Sequence, residues 1–289
     1  VKRVVLTGSS GRIGRAIFGA LASEYRVAGI DRNTFSTTHI VGDCAEPDVI
    51  APALEGADAV IHTAGPHAPH VGILSDGEFE RVNVEGTRTL FNLAAKSGVK
   101  RFVYTSTTAL YGNAIVPGEC TWVTDETQPA PKSIYHRTNL AAEAFLEEAA
   151  SHAMPVRVMR MSRCFPEPAP TMALLRLHRG VDARGVGTCH RLALTHEGAP
   201  FERFIISGAT PFGKEDCNDL AASAADVIRE RVPDLARAFD ARGWSLPDSV
   251  DRVYDATAAR EALGWKQRWG WEEVLAQWDR DSIEVLAPE

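Results

Sequence analysis

Three groups of residues in this chain have the types and spacing to do chemistry. Thr7 to Gly14 reads Thr-Gly-Ser-Ser-Gly-Arg-Ile-Gly, between the apolar run Val4-Val5-Leu6 and the helically spaced Ala16-Ile17-Phe18. There Gly8 permits a tight strand-to-helix turn, Gly11 lets backbone approach a pyrophosphate, and Gly14 lets helix pack on strand. The helix start then offers unpaired N–H groups and a positive dipole end to phosphates. Asp31 ends the second apolar run at the offset where a carboxylate meets an adenosine ribose. It can accept hydrogen bonds from both ribose hydroxyls and repel a 2′-phosphate, which favours NAD over NADP; the neighbouring guanidinium of Arg32 pulls the other way. Finally, Thr105-Ser106-Thr107-Thr108 closes another apolar run, and Tyr135 lies just inside a helix that starts near Ser133. A strand-end hydroxyl and a phenol on the next helix can converge on one substrate oxygen, which suits proton transfer coupled to hydride transfer.

The elements that must position these groups alternate. Strands are predicted near residues 2–7, 26–30, 38–41, 58–63, 101–106 and 155–161, and helical patterns near 12–23, 46–55, 78–97 and 135–152. Such alternation requires parallel strands with crossover helices, hence an α/β, doubly wound parallel sheet: a Rossmann domain over residues 1–162. After residue 162 the closely spaced Pro166, Pro168 and Pro170 loosen the pattern. Helices follow near 172–178, 185–195 and after 215, with a strand at Arg203-Phe204-Ile205-Ile206. Residues 163–289 are expected to form a small substrate-binding portion, partly interleaved with the sheet and covering its carboxyl edge, where ligands of open α/β sheets bind. Trp265, Trp269, Trp271 and Trp278 are read as packing residues.

Composition bounds the alternatives. A chain of 289 residues, 45% hydrophobic and 24% charged, is long enough for one large α/β domain with an appendage. The formal net charge of −7 and the lack of a basic run argue against a nucleic acid partner. No basic stretch leads into an apolar signal segment and no apolar run is long enough to cross a bilayer, so a cytoplasmic protein without a membrane partner is expected. The five cysteines, Cys44, Cys120, Cys164, Cys189 and Cys217, show no CxxC spacing, so neither a metal site nor a disulfide framework is expected.

The chain resembles the extended short-chain dehydrogenase/reductase family, which includes NAD-dependent nucleotide-sugar epimerases and dehydratases. The resemblance rests on TGSSGRIG at 7–14, Gly42-Asp43, His62-Thr63-Ala64-Gly65, Asn83-Val84-Glu85-Gly86-Thr87, the Tyr104 to Gly112 segment, Tyr135, and the stretch from Arg252-Val253-Tyr254-Asp255 through Ala262-Leu263-Gly264-Trp265. It implies that Asp43 touches the adenine, that Ala64 and Gly65 line the pyrophosphate path, that Thr107 polarises the substrate oxygen with Ser106 beside it, and that Tyr135 is the acid/base. The implied cofactor-binding set is Gly8, Ser10, Gly11, Arg12, Ile13, Gly14, Asp31, Arg32, Asp43, Cys44, Thr63, Ala64, Gly65, Asn83, Thr105, Tyr135 and Asn139. It also implies a homodimer through the two long helices near 78–97 and 135–152.

The family motif Tyr-x-x-x-Lys is broken here: Tyr135 is followed by Asn139. In the family that lysine holds the nicotinamide ribose and lowers the tyrosine pKa. Asparagine keeps hydrogen-bonding capacity but supplies no charge. Three readings stay open: a weakened dehydrogenase, one rewired to another base such as His67 or His70, and a catalytically silent NAD-binding module. Family dehydratases carry an Asp-Glu pair where this chain has Thr108 and Ala109, which disfavours that reaction. The short Cys164 to Arg184 segment leaves little to clamp a nucleotide sugar, so a 4-epimerase of such sugars is the secondary enzyme reading and a small hydroxylated or keto substrate the first. The run Arg163-Cys164-Phe165-Pro166-Glu167-Pro168 resembles the short uronate dehydrogenase branch, but Met172 stands where those enzymes place a basic residue. His67, Thr108, Arg163, Phe165 and Arg176 are the expected substrate contacts.

Overall fold

A computed structural model describes residues 2–288. The chain runs β1 (Arg3–Thr7), α1 (Arg12–Leu21), β2 (Arg26–Asp31), β3 (Ile40–Val41), α2 (Pro47–Leu54), β4 (Ala59–His62), α3 (Asp76–Phe79), a wide π turn (Glu80–Gly86), α4 (Thr87–Lys96), β5 (Arg101–Thr107), β6 (Thr121–Val123), α5 (Ile134–Ala149) and β7 (Val156–Met161). It continues through α6 (Ala169–His178), α7 (Ala183–Ala193), β8 (Phe201–Ile206), α8 (Cys217–Arg231), α9 (Pro233–Arg242), β9 (Arg252–Tyr254), α10 (Thr257–Leu263) and α11 (Trp271–Asp279). Seven parallel strands form one sheet in the order β3-β2-β1-β4-β5-β7-β8. The order reverses between β1 and β4, and that crevice is where an open α/β sheet binds its ligand.

Alternate residues of each strand feed opposite cores, because the side-chain period of a strand is two. Val4 and Leu6 pack with Ile17, Val186, Cys189 and Trp265 on one face, while Val5 packs with Ile50, Leu90, Phe102 and Leu146 on the other. Gly187 lets α7 lie directly on α1: a Cβ there would sit 2.4 Å from the Ala16 carbonyl oxygen. A third core, with Met172, Leu220, Phe239 and Leu275, joins α6, α8, α9 and α11.

Several elements differ from the sequence-based expectation. The third strand is two residues long, because Thr37 and His39 are already tied by side-chain bonds to the Ser9 carbonyl and the Gly29 N–H. The helix expected at 172–178 begins at Ala169, with Pro170 in its first turn, where proline's missing N–H costs nothing. β8 spans Phe201–Ile206 and adds the seventh strand to the main sheet. β6 and β9 form a separate two-stranded parallel sheet that no sequence pattern announced. Of the four tryptophans, Trp265 is fully buried and donates to the Gly185 carbonyl, Trp269 stacks under Arg184, and Trp271 and Trp278 pack against the third core.

One buried polar network fixes α5 against the sheet. Arg160 on β7 and Glu143 on α5 are 0% and 2% exposed and form a forked ion pair with contacts of 2.6 to 3.2 Å. Ser106 on β5 also donates to Glu143, and Arg160 donates to the Tyr111 hydroxyl at 2.8 Å. Removing one member of such a pair strands a buried charge. Arg160→Met or Glu143→Ala should therefore lower the unfolding free energy by about 3–5 kcal/mol in urea titrations.

Candidate active site

The glycine turn is built by close backbone approach. Gly8 has φ of +71°, and a Cβ on it would lie 2.6 Å from the Thr63 hydroxyl; a Cβ on Gly14 would lie 2.0 Å from the Gly8 carbonyl oxygen. Gly11 is the N-cap of α1 and its side faces open space apart from the Gly8 carbonyl at 3.3 Å. The N–H groups of Arg12, Ile13 and Gly14 open the helix without intrahelical partners, which is the donor arrangement a pyrophosphate requires.

Asp31 ends β2 beside this turn. Its two oxygens accept from the Ser10 and Asn33 N–H groups, each at 2.9 Å, which fixes the carboxylate and leaves lone pairs for further donors. Arg32 is exposed and 3.7 Å from Glu78. Asp43 accepts from the Ala45 N–H at 2.9 Å and from Arg81 at 2.7 Å. Burial raises the Asp43 carboxyl, but those two donors outweigh it and hold it below its ordinary range. Cys44 is buried, and that burial pushes its thiol up to about 12, which makes it an inert apolar group. The Arg12 side chain reaches across to the Cys164 carbonyl at 2.9 Å and to Glu284, tying the turn to the chain after β7 and to the C-terminal segment.

A hydrogen-bond relay runs from this turn to α5. The Thr7 hydroxyl accepts from the Thr63 and Ala64 N–H groups at 3.3 Å and contacts His62 Nδ1 at 2.6 Å. His62 Nε2 lies 3.0 Å from the Thr87 hydroxyl, which donates to the Asn83 carbonyl at 2.7 Å. The Thr87 donation makes its oxygen the acceptor for His62, so the network assigns the Nε2–H tautomer and leaves Nδ1 to accept from Thr7. Asn83 on the π turn donates to the Pro66 carbonyl at 3.2 Å and to Thr138 on α5 at 3.0 Å. A Cβ on Gly65 would sit 2.4 Å from Asn83 Oδ1. Sequence reasoning found Thr63 to Gly65 and Asn83, but missed His62, Thr87 and Thr138 as their supports.

Tyr135 and Thr107 meet at the end of β5. The Tyr135 ring is half-buried; desolvation raises its phenol above the ordinary value, and the neighbouring Thr107 side chain holds that rise back. Among the described residues no ammonium or guanidinium acts on it. Arg137 turns outward to within 3.8 Å of Asp76. Asn139 is buried, accepts from the Tyr104 hydroxyl at 3.0 Å and donates to the Tyr135 carbonyl at 2.8 Å, leaving one amide hydrogen. Ser106 faces away from the cleft toward Glu143. Thr105 bonds His190 on α7 at 2.8 Å, and Thr108 is buried, 3.4 Å from the Met161 carbonyl.

Of the expected substrate contacts, three come together. Phe165 stacks on His67 with ring centroids 6.0 Å apart and 12° between planes, and the Arg163 guanidinium lies 5.6 Å from the Phe165 ring while pairing with Glu167. The His67 N–H donates to His70 Nδ1 at 3.0 Å. Burial and then the neighbouring His70 lower the His67 pKa. Arg176 does not join them: it is buried beside Asp182 in the wall of another cavity.

Residues 4–178 match the NAD dependent epimerase/dehydratase family. The chain belongs to this family. A dTDP-glucose 4,6-dehydratase from Streptomyces antibioticus is 29% identical over 279 residues, covering 86% of this chain and 77% of that protein. Among solved structures, a short-chain dehydrogenase/reductase superfamily protein from Agrobacterium tumefaciens with bound NAD superposes with a TM-score of 0.70, at 22% identity and 95% coverage of both chains. A mutated uronate dehydrogenase superposes with a TM-score of 0.66 at 18% identity, covering 99% of this chain and 88% of that one. As a family member the protein is an NAD-dependent enzyme of the extended short-chain type, and the glycine turn with Asp31 fits that cofactor. Among the described residues no helix is long and apolar enough to cross a membrane, and no group of three or more His, Cys, Asp or Glu is placed to hold a metal.

The relay histidine is one of three that burial holds neutral: His62, His178 and His190 are each lowered to about 4. The unfolded chain takes up these protons as pH falls through about 6.5, whereas the folded chain does not until about 4. Stability present at neutral pH is therefore lost between those values. Urea midpoints should fall steeply from pH 7 to pH 5, and His62→Gln should flatten part of that slope.

Proposed function

We propose that this enzyme transfers a hydride between NAD and a small hydroxylated or keto substrate of the sugar class, Tyr135 exchanging the proton and Thr107 holding the reacting oxygen. What supports this reading is Tyr135 in the first turn of α5 neighbouring Thr107 at the carboxyl end of β5, on the same sheet whose β1 leads into the glycine turn. NAD, when bound, supplies the hydride acceptor or donor. Gly8 to Gly14 with Asp31 hold it, Asp43 and Cys44 border its adenine end, and the Thr63 to Gly65 loop lies along its pyrophosphate. The remaining amide hydrogen of Asn139 would be the donor this side chain offers to the nicotinamide ribose. His67, Phe165 and Arg163 border the substrate.

Oxidation of a hydroxyl requires Tyr135 as phenolate. Burial has raised this phenol and no cation among the described residues lowers it, so the reactive form grows with pH well past neutrality. The cover supports a small substrate: between Met161 and Ala183 the chain allots one helix, α6. Thr108 and Ala109 offer no acid to expel water from a keto-sugar, so this chain departs from its dehydratase relatives. A homodimer through α4 and α5 belongs to the same proposal. The absence of a cation at the phenol also favours a second reading, a protein that binds NAD without turning substrate over.

NADH absorbance, followed with a panel of aldoses, uronates and polyols from neutral to strongly alkaline pH, separates these. Turnover should rise with pH, and Asn139→Lys should move the rising limb about 1–3 pH units toward neutrality. Tyr135→Phe should cost roughly 10²–10⁴ in kcat with NAD affinity within a few-fold. A phenylalanine variant as active as wild type sinks the mechanism. Silence in all three proteins, with NAD still bound, selects the binding module.

A further inference from the structure

His190 on α7 is fully buried and makes two hydrogen bonds. Its Nδ1 lies 2.8 Å from the Val186 carbonyl oxygen, one helical turn back, and its Nε2 lies 2.8 Å from the Thr105 hydroxyl on β5. A carbonyl oxygen can only accept, so Nδ1 carries a proton. Burial keeps the ring neutral by lowering it to about 4, and a neutral imidazole has a single N–H. Nε2 is therefore a bare acceptor, and the Thr105 hydroxyl donates to it. This is the opposite tautomer to that of His62.

The consequence falls on Thr105. A threonine hydroxyl has one hydrogen and two lone pairs; with the hydrogen committed to His190, the oxygen can only accept. Thr105 is partly exposed, and no side-chain or backbone donor among the described residues bonds to that oxygen. Strand side chains alternate between faces, so Thr105 shares its face of β5 with Val103 and Thr107, and that face packs on α1 and α7. The glycine turn opens α1, and Ile13 in the first turn of that helix packs against the same core. Thr105 thus lies roughly 7 Å along β5 before Thr107, on the side of the sheet that carries the glycine turn. A dinucleotide held at that turn and reaching Thr107 and Tyr135 brings its nicotinamide half to this stretch of β5. The groups of that half that need an acceptor are the carboxamide N–H2 and the ribose hydroxyls.

We infer that His190 is a positioning residue, which makes Thr105 an obligate acceptor for a hydrogen-bond donor on the nicotinamide half of NAD. The inference rests on the cofactor placement proposed above and is independent of proton transfer by Tyr135, since it is read from binding alone. Nitrogen-15 NMR of the histidine side chains tests the first step: His190 should show a protonated Nδ1 and a bare Nε2, and the reverse tautomer would overturn the inference. Calorimetric titration with NAD, ADP-ribose and ADP tests the second. Thr105→Val should weaken NAD about three- to tenfold, as loss of one hydrogen bond does, and leave ADP, which carries only the adenine end, as in wild type. ADP-ribose weakened as much as NAD assigns the donor to a ribose hydroxyl; ADP-ribose unchanged assigns it to the carboxamide. His190→Leu should weaken NAD by a similar factor, and the double variant no further, because the two residues act as a unit. The wild-type tautomer and Thr105→Val keep the test intact if the leucine variant fails to fold. NAD affinity unchanged in Thr105→Val, ADP weakened as much as NAD, or the two single effects multiplying in the double variant would each overturn the inference. A wild type that binds no NAD would overturn the cofactor placement with it.

Discussion

The glycine turn and α5 lie on different parts of the chain, and one buried hydrogen-bond relay holds them in register. Thr7, His62, Thr87, Asn83 and Thr138 come from β1, β4, α4, the π turn and α5, and each closes a donor or acceptor of the next. His62 works only as the neutral imidazole, because it must accept at Nδ1 and donate at Nε2 at once. Full burial at the sheet crevice supplies that neutrality. The wide turn at Glu80–Gly86 is what lets Asn83 reach both the loop after β4 and α5, a role typical of such helix irregularities at functional sites.

A second network, Glu143 with Arg160 and Ser106, stands two helical turns beyond Tyr135 and keeps the same face of α5 on β5 and β7. Between the two networks sits Asn139, held by Tyr104 and by the backbone of its own helix. The cleft is therefore well positioned and electrostatically plain: orientation is supplied by buried partners, and the charge that would ease ionisation of the phenol is missing. A positioned phenol without a cation is a base whose activity follows pH rather than one poised at neutrality.

Much of this was legible in the sequence, for reasons that vary by element. Val4-Val5-Leu6 and the other continuous apolar runs announce strands buried on both faces, and the glycine spacing announces the turn, since both signals are local. The family motifs located Thr107, Tyr135 and Asn139. What was illegible depends on long separations: Arg160 in a strand gives no sign that its partner is Glu143, and β6 and β9 are three-residue strands paired across about 130 residues of chain. Arg176 was read as a contact at the reaction centre, but α6 starts three residues earlier than its apolar pattern and carries it to a separate cavity. The spacing that marked Ser106 as a neighbour of Thr107 also put it on the opposite face of β5.

Tyr135 is a phenol raised by burial with no cation among the described residues to offset it. Ultraviolet difference titration of tyrosinate, wild type against Tyr135→Phe, measures this directly without a substrate. Ionisation of Tyr135 above the ordinary phenol value of about 10 is the expected result. Ionisation near neutrality would contradict the account, since it would require a cation at the phenol that the structure does not place there.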